Sequence, residues 1–411
     1  MRFSKQEYWS GLPFPPLGNL PHPGIEPASL YVCCIGRRFS PLPRKAYPLP
    51  KSPRSHRGRH ASCSGNSTSL PGSLRSSPGS VSSLRGRPFL PGACGLVFFG
   101  ECWRRRPPAS GSRSGYESAS KDFVPDDLEV QVPGRAFMVT GGNSGIGKAT
   151  AMEIAKRGGT VHLVCRDPSR AEGARAEIIE KSGNQNIFLH IVDLSVPKSI
   201  WKFVENFKQE HTLNVLINNA GCMVNKRELT EDGLEKNFAT NTLGVYILTT
   251  ALIPVLEKEH DPRVITVSSG GMLVQKLNTD DLQSERTAFD GTMVYAQNKR
   301  QQVVLTERWA RAHPAIHFSC MHPGWVDTPG VRLSMPGFHA RMGARLRSEA
   351  QGADTVLWLA LAPAATAQPS GCFFQDRKPA PTHLPLARTS SSPAEEEKLV
   401  EILEELARRF K

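Results

Sequence analysis

The chain has 411 residues, 39% of them hydrophobic, and a net charge of +13. Residues 1–113 hold 17 Lys and Arg against three acidic residues (Glu7, Glu26 and Glu101), a balance of +14, so the remaining residues sum to −1. The charge therefore belongs to a front extension and excludes a basic, nucleic-acid-binding body; no nucleic-acid partner is expected. The extension is dense in Pro, Ser, Gly and Arg, as in PPLGNLPHPG and SSPGSVSSLRGRP. Such a composition buries too little core to fold and is expected to be disordered. Its acid-poor, Arg-rich makeup also fits a mitochondrial transit peptide, the minor alternative to a cytoplasmic location, while its opening MRFSKQEYWSGLPFPP looks like translated repeat DNA. The apolar stretch from Phe89 to Gly100 is far short of the roughly 20 residues a spanning helix needs, so no transmembrane segment is expected. Cys165, Cys222, Cys320 and Cys372 fall in or beside predicted core elements without metal-ligand spacing, which reads as buried thiols in a reducing compartment and no metal site.

After a lead-in at 114–131, a domain over 132–376 begins with a predicted strand, Ala136 to Val139. It runs into TGGNSGIG (Thr140 to Gly147) and then a helix, Lys148 to Arg157. Strand, Gly-rich turn and helix in that order aim free backbone N–H groups and a positive helix end at one spot, which suits a pyrophosphate. Gly141 permits the tight turn, Gly145 lets the phosphates approach the backbone, and Gly147 lets helix and strand pack closely. Further strands are predicted at Thr160 to Cys165, Ile187 to Val192, Val215 to Ile217, Val264 to Val267 and His317 to Met321. They end at Arg166-Asp167, Asp193-Leu194, Asn218 to Gly221, Ser268-Ser269 and His322-Pro323-Gly324 respectively. Helices are predicted between them at Ala171 to Lys181, Pro197 to Glu210, Leu234 to Leu256 and Tyr295 to His313. This alternation predicts an α/β fold with a doubly wound parallel sheet, and ligands of such sheets bind at the carboxyl ends of the strands, where the polar clusters fall.

TGGNSGIG, Asp193-Leu194, NNAG (Asn218 to Gly221), Asn241, Ser268-Ser269, YAQNK (Tyr295 to Lys299) and HPGWVDT (His322 to Thr328) follow one another in the order of a known family. Together they resemble a classical short-chain dehydrogenase/reductase. The resemblance implies a Rossmann-type fold and an oxidoreductase that moves a hydride between a nicotinamide cofactor and an alcohol or carbonyl of a small molecule. It implies Tyr295 as the proton donor, Lys299 as the cation that stabilises its anion and bonds the nicotinamide ribose, Ser269 as a hydrogen bond to the substrate oxygen, and Asn241 as the holder of a water linking Lys299 to solvent. The i, i+4 spacing of Tyr295 and Lys299 puts both on one helix face. The cofactor residues implied are Gly141, Asn143, Ser144, Gly145, Ile146 and Gly147 in the turn, Asp193 and Leu194 beside the adenine, and Asn219, Ala220 and Gly221 near its ribose. Tyr295, Lys299, Pro323, Gly324, Val326 and Thr328 complete the set. Arg166, at the end of the second strand, favours the 2′-phosphate of NADP(H) over NAD(H). Asn298 stands where the family commonly has Ser, and the insert from Gly270 to Val294 is long. A catalytically silent nucleotide-binding or regulatory protein is the alternative reading.

Beyond Thr328, the run Pro329 to Arg347 sets Met335, Phe338, Met342 and Leu346 among arginines and is expected to cover an apolar substrate. The final segment, 377–411, is a linker and an amphipathic helix from Ala394 to Phe410 whose stripe Leu399, Ile402, Leu403, Leu406 and Phe410 must pack on the body or on a second subunit, so a homo-oligomer stays open.

Overall fold

The computed structural model describes residues 109–384 and 386–411. The disorder and targeting expected of residues 1–108 lie outside the described residues. Eight strands form one sheet in the order β3-β2-β1-β4-β5-β6-β7-β8. They are β1 (Ala136–Thr140), β2 (Thr160–Cys165), β3 (Ile187–Ile191), β4 (Val215–Asn218), β5 (Arg263–Val267), β6 (His317–His322), β7 (Phe373–Gln375) and β8 (Lys378–Pro379). The first seven pair in parallel and β8 pairs antiparallel with β7. The order reverses between β1 and β4, the crevice where a doubly wound sheet takes its ligand.

Both faces of the sheet's centre are covered, which is why β1, β4 and β5 read as largely apolar, fully buried runs. Met138, Leu216 and Val264 point into one core layer with Phe203, Phe207, Leu248 and Leu252. Their neighbours Phe137, Val139, Val215, Ile217 and Ile265 point into the other, with Ile146, Ile154 and Trp358. Besides a single turn at Pro363–Thr366, the α-helices among the described residues are α1 (Arg113–Ala119), α2 (Gly145–Lys156), α3 (Pro168–Ser182), α4 (Pro197–Glu210), α5 (Lys236–Leu256), α6 (Gly291–Ala312), α7 (Pro329–Ser334), α8 (Pro336–Met342), α9 (Glu349–Leu361) and α10 (Pro393–Arg409). Among the described residues α5 alone is long and apolar enough to cross a membrane, and 89% of that stretch is buried inside the fold.

The predicted strands match β1 to β6 within one residue at each end. Sequence reading does not anticipate β7, β8 or α9. It starts α6 at Tyr295, whereas the helix begins four residues earlier behind Asp290, whose carboxylate accepts from the amides of Thr292 and Met293. Residues 109–113, grouped with the extension by composition, are folded: Trp325 donates its backbone N–H to the Gly111 carbonyl at 2.7 Å. The stripe of α10 packs on the chain's own body, with Leu399, Leu403 and Phe410 buried in the first core layer.

Candidate active site

The turn after β1 has the form a phosphate needs. Gly141 and Gly145 have φ of +67° and +57°, a region that costs an L side chain strain. A Cβ on Gly147 would come within 2.4 Å of the Asn219 amide and 2.5 Å of the Gly141 carbonyl. Asn143 and Ser144 are half-buried at the mouth of the turn, while Ile146 is buried beneath it. Ser144 makes no side-chain cap to α2, so its hydroxyl does not compete for the amides at that helix end. The ends of β1 and β4 are tied together: Thr140 Oγ1 accepts from the N–H of Asn219 and of Ala220, and Asn219 Nδ2 donates to the Thr140 carbonyl at 2.9 Å. Asn219 Oδ1 is buried without a partner, an acceptor with unused capacity beside the buried Gly221. A cradle only glycine can form, an uncapped helix end and an orphaned amide oxygen fit a dinucleotide.

Around this turn the other strand ends converge. Asp193 is oriented by Ser195, whose N–H and hydroxyl both donate to Asp193 Oδ1, and Leu194 is buried behind it. At the end of β2, Arg166 is half-buried. Its neighbour Asp167 caps α3, accepting from the Arg170 N–H at 3.1 Å. Thr328 faces Gly145, whose added Cβ would meet Thr328 Cγ2 at 3.3 Å, and its hydroxyl oxygen caps α7 through Val331 N–H. Gly324 has φ +81° and lies against Arg347, to which Pro323 offers its carbonyl at 3.2 Å. Val326 is fully buried in the core layer behind them.

The proton-handling residues sit on β5, α5 and α6. Tyr295 is fully buried, with Lys299 Nζ 5.3 Å from its ring centroid. Lys299 donates to the Val267 carbonyl at 2.8 Å and to Gln302 Oε1 at 3.1 Å. Burial with no carboxylate partner lowers its pKa from 10.5 to about 7. The serines divide their tasks: Ser268 Oγ donates to the Lys299 carbonyl, whereas Ser269 Oγ accepts from Gly271 N–H, leaving its own hydroxyl hydrogen for another acceptor.

Asn241 is fully buried. It lies in a π-helical turn, Ala239–Leu243, inside α5. Its side chain clips the loop after β4, accepting from Cys222 N–H and donating to the Cys222 carbonyl and to Asn298 Oδ1. Its backbone carbonyl accepts from Gln302 Nε2 at 2.7 Å. Gln302 therefore joins the Asn241 carbonyl to Lys299 Nζ through the two ends of its side-chain amide. Asn298, the departure from the family's serine, supplies the acceptor that holds the Asn241 amide.

Over Tyr295 lies an apolar roof of Met223, Trp325, Val331, Met335, Phe338, Met342 and Leu346. Trp325 meets Phe338 edge to face at 6.4 Å. Arg347 anchors the far end of the roof, paired with Asp376 at 2.6 Å and donating to the carbonyls of Ser110, Ser112 and Pro323.

Residues 135–335 match the family model described as short chain dehydrogenase. Dehydrogenase/reductase SDR family member 12 from Bos taurus is 92% identical over 77% of this chain and 100% of its own length. The chain belongs to the short-chain dehydrogenase family. Retinol dehydrogenase 12 from Mus musculus is 35% identical over 61% of this chain and 80% of its own. A solved structure of an uncharacterised protein from Mycobacterium paratuberculosis is 26% identical with a TM-score of 0.54, covering 68% of this chain and 95% of that one. Family membership makes the protein an oxidoreductase that uses a nicotinamide cofactor and acts on a small molecule.

For a member of this family, sequence reading located the turn, the strand ends and the Tyr295–Lys299 pair. It missed Gln302, Met223, Trp325 and Arg347 as parts of the site. Gln302 had a signal, since i+3 from Lys299 is the same helix face. Met223 and Trp325 adjoin NNAG and HPG in the sequence. Arg347 had none, because its partners are the folded start of the domain and a turn near its end.

Proposed function

We propose that this protein interconverts an alcohol and a carbonyl on a small lipophilic molecule, with NADP(H) preferred as the hydride carrier. When bound, the nicotinamide supplies or accepts the hydride at the substrate carbon. The chain's own part is the proton. A free phenol, with a pKa near roughly 10, is a poor donor at neutral pH unless its anion is stabilised. Lys299 is positioned to do this for Tyr295, Ser269 to donate to the substrate oxygen as charge grows there, and Asn241 with Gln302 to hold Lys299 in place. The turn residues from Gly141 to Gly147, with Asp193, Asn219 and Thr328, would hold the dinucleotide.

The observation that carries the reading is the burial of Tyr295 and Lys299 together beneath an apolar roof, with Lys299 bonded only to neutral acceptors. A lysine kept there for packing alone would bear the cost of burial without return. The roof, and the retinol dehydrogenases among the relatives, support a lipophilic substrate. Asp167, occupied as a helix cap, leaves Arg166 as the charge at the ribose end and supports NADP(H).

The test is NADPH oxidation against a panel of retinal, steroid ketones and fatty aldehydes, with Tyr295→Phe alongside. Turnover in the variant should fall by at least roughly 100-fold, the range of a lost proton donor, while the thermal shift induced by NADPH persists. Near-normal turnover in the variant would end the assignment.

A further inference from the structure

At the open edge of the sheet, away from the turn after β1, three histidines from separate elements converge. His162 lies in β2, His190 in β3, and His211 directly follows α4. One ring nitrogen from each lies within 4.8 Å of the other two. The pairing of Val164 with His190 and of His162 with Phe188 puts both strand histidines on one face, where Phe207 packs against them and the rings of His162 and His211 approach to 4.7 Å.

We propose that His162, His190 and His211 bind a divalent transition-metal ion of the zinc class, which clips the sheet's open edge to the end of α4. The spacing fits. Tetrahedral zinc with bonds of about 2.0–2.1 Å holds its imidazole nitrogens about 3.3 Å apart. His162 Nδ1 and His190 Nε2 are 3.1 Å apart. No separation in the trio exceeds 4.8 Å, so a closure of at most about 1.5 Å reaches that edge. His190 and His211 are half-buried, which allows that adjustment and gives an ion a route in from solvent.

The ligand chemistry fits too. An all-imidazole set suits zinc, copper and nickel ahead of the hard, oxygen-seeking cations. Three protein ligands leave a fourth position for water, and Glu210, whose carboxylate is 3.9 Å from His211 Nε2, is the adjacent acceptor for that water or for a ring N–H.

The experiment uses the full chain without a histidine tag. Zinc retained after dialysis is measured by elemental analysis, and the visible spectrum is followed as Co2+ is added. The expected result is one retained equivalent of zinc, a rise in Tm with added zinc, and a Co2+ band set of nitrogen and oxygen ligands. His190→Gln and His211→Gln should each weaken binding by at least roughly tenfold, and the double variant should abolish the Tm response. The NADPH-induced thermal shift verifies that each variant is folded; if the double variant lacks it, the half-exposed His211→Gln alone decides. Retention unchanged in the variants, or a thiolate charge-transfer band showing cysteine ligation, overturns the proposal. So does a parent that keeps no more zinc than the variants.

Discussion

Lys299 and Arg347 are both fully buried cations, and the protein treats them in opposite ways. Arg347 is saturated from within: both its terminal nitrogens meet the Asp376 carboxylate, and the carbonyls of Ser110, Ser112 and Pro323 take its remaining donors. Lys299 has one carbonyl and one amide oxygen, both neutral. A buried cation that serves the fold is neutralised where it stands. One that serves a reaction is held by dipoles alone, so that its protonation stays free to respond to whatever charge develops beside it.

The largest effect expected from this contrast is on stability. Arg347→Met strands the Asp376 carboxylate in the interior and should cost about 3–5 kcal/mol in urea unfolding. Lys299→Met, which removes an ammonium paired with no carboxylate, should leave stability level or raise it. If both variants lose the same amount, the two cations are equivalent and the comparison fails.

The second effect runs the other way. Lys299→Met should lower turnover by roughly 100-fold or more, in keeping with the loss of a group that tunes a proton donor, while an NADPH thermal shift, smaller by the lost ribose contact, persists. Comparable turnover in the variant and the parent would make Lys299 a packing residue.

A third effect comes from linkage. Burial lowers the pKa of Lys299 from 10.5 in the unfolded chain to about 7 in the folded one. Between those values the unfolded chain holds a proton that the folded chain has released, so stability rises with pH across that window, and the penalty is fully present below pH 7. Without cofactor, the parent should gain up to about 1.4 kcal/mol per pH unit relative to Lys299→Met between pH 7 and pH 10. Parallel pH profiles would show that the lysine keeps its proton throughout.

The smallest effect concerns Arg166, half-buried and therefore between the two regimes. NADPH should raise the Tm more than NADH at matched concentrations, and Arg166→Asp, which sets a carboxylate where a 2′-phosphate would bind, should reverse the order. Equal shifts in the parent would remove the cofactor preference.

What could be read from the sequence follows the range of the interactions. The strands β1 to β6 and the glycine turn are local patterns, and each was legible from its own residues. The strand β7 is three residues long and is held by pairing with β6 on one side and β8 on the other. The helix α9 is buried along nearly its whole length from Gly352 to Leu361, so it shows little of the polar face that marks a surface helix. Within the site, Tyr295 and Lys299 share a helix turn and were found together. The bond from Gln302 to Asn241 spans 61 residues and ends in a π-helical turn that no side-chain pattern announces. The histidine trio was hidden for the same reason, since His162 and His190 are 28 residues apart and meet only through strand pairing.

The π-helical turn at Ala239–Leu243 makes part of the site a matter of chain length. Such a turn carries one residue more than an α-helix would use. Deleting any single residue there would let the helix close into regular α form and rotate everything on its N-terminal side by about 100° relative to the rest. Glu235, whose carboxylate holds the amides of Asn237 and Phe238, would be swung off its station, and the register of the Asn241 carbonyl against Gln302 would change with it. A shortened relative could therefore keep Asn241, Tyr295 and Lys299 by letter and still lack the bridge that joins them.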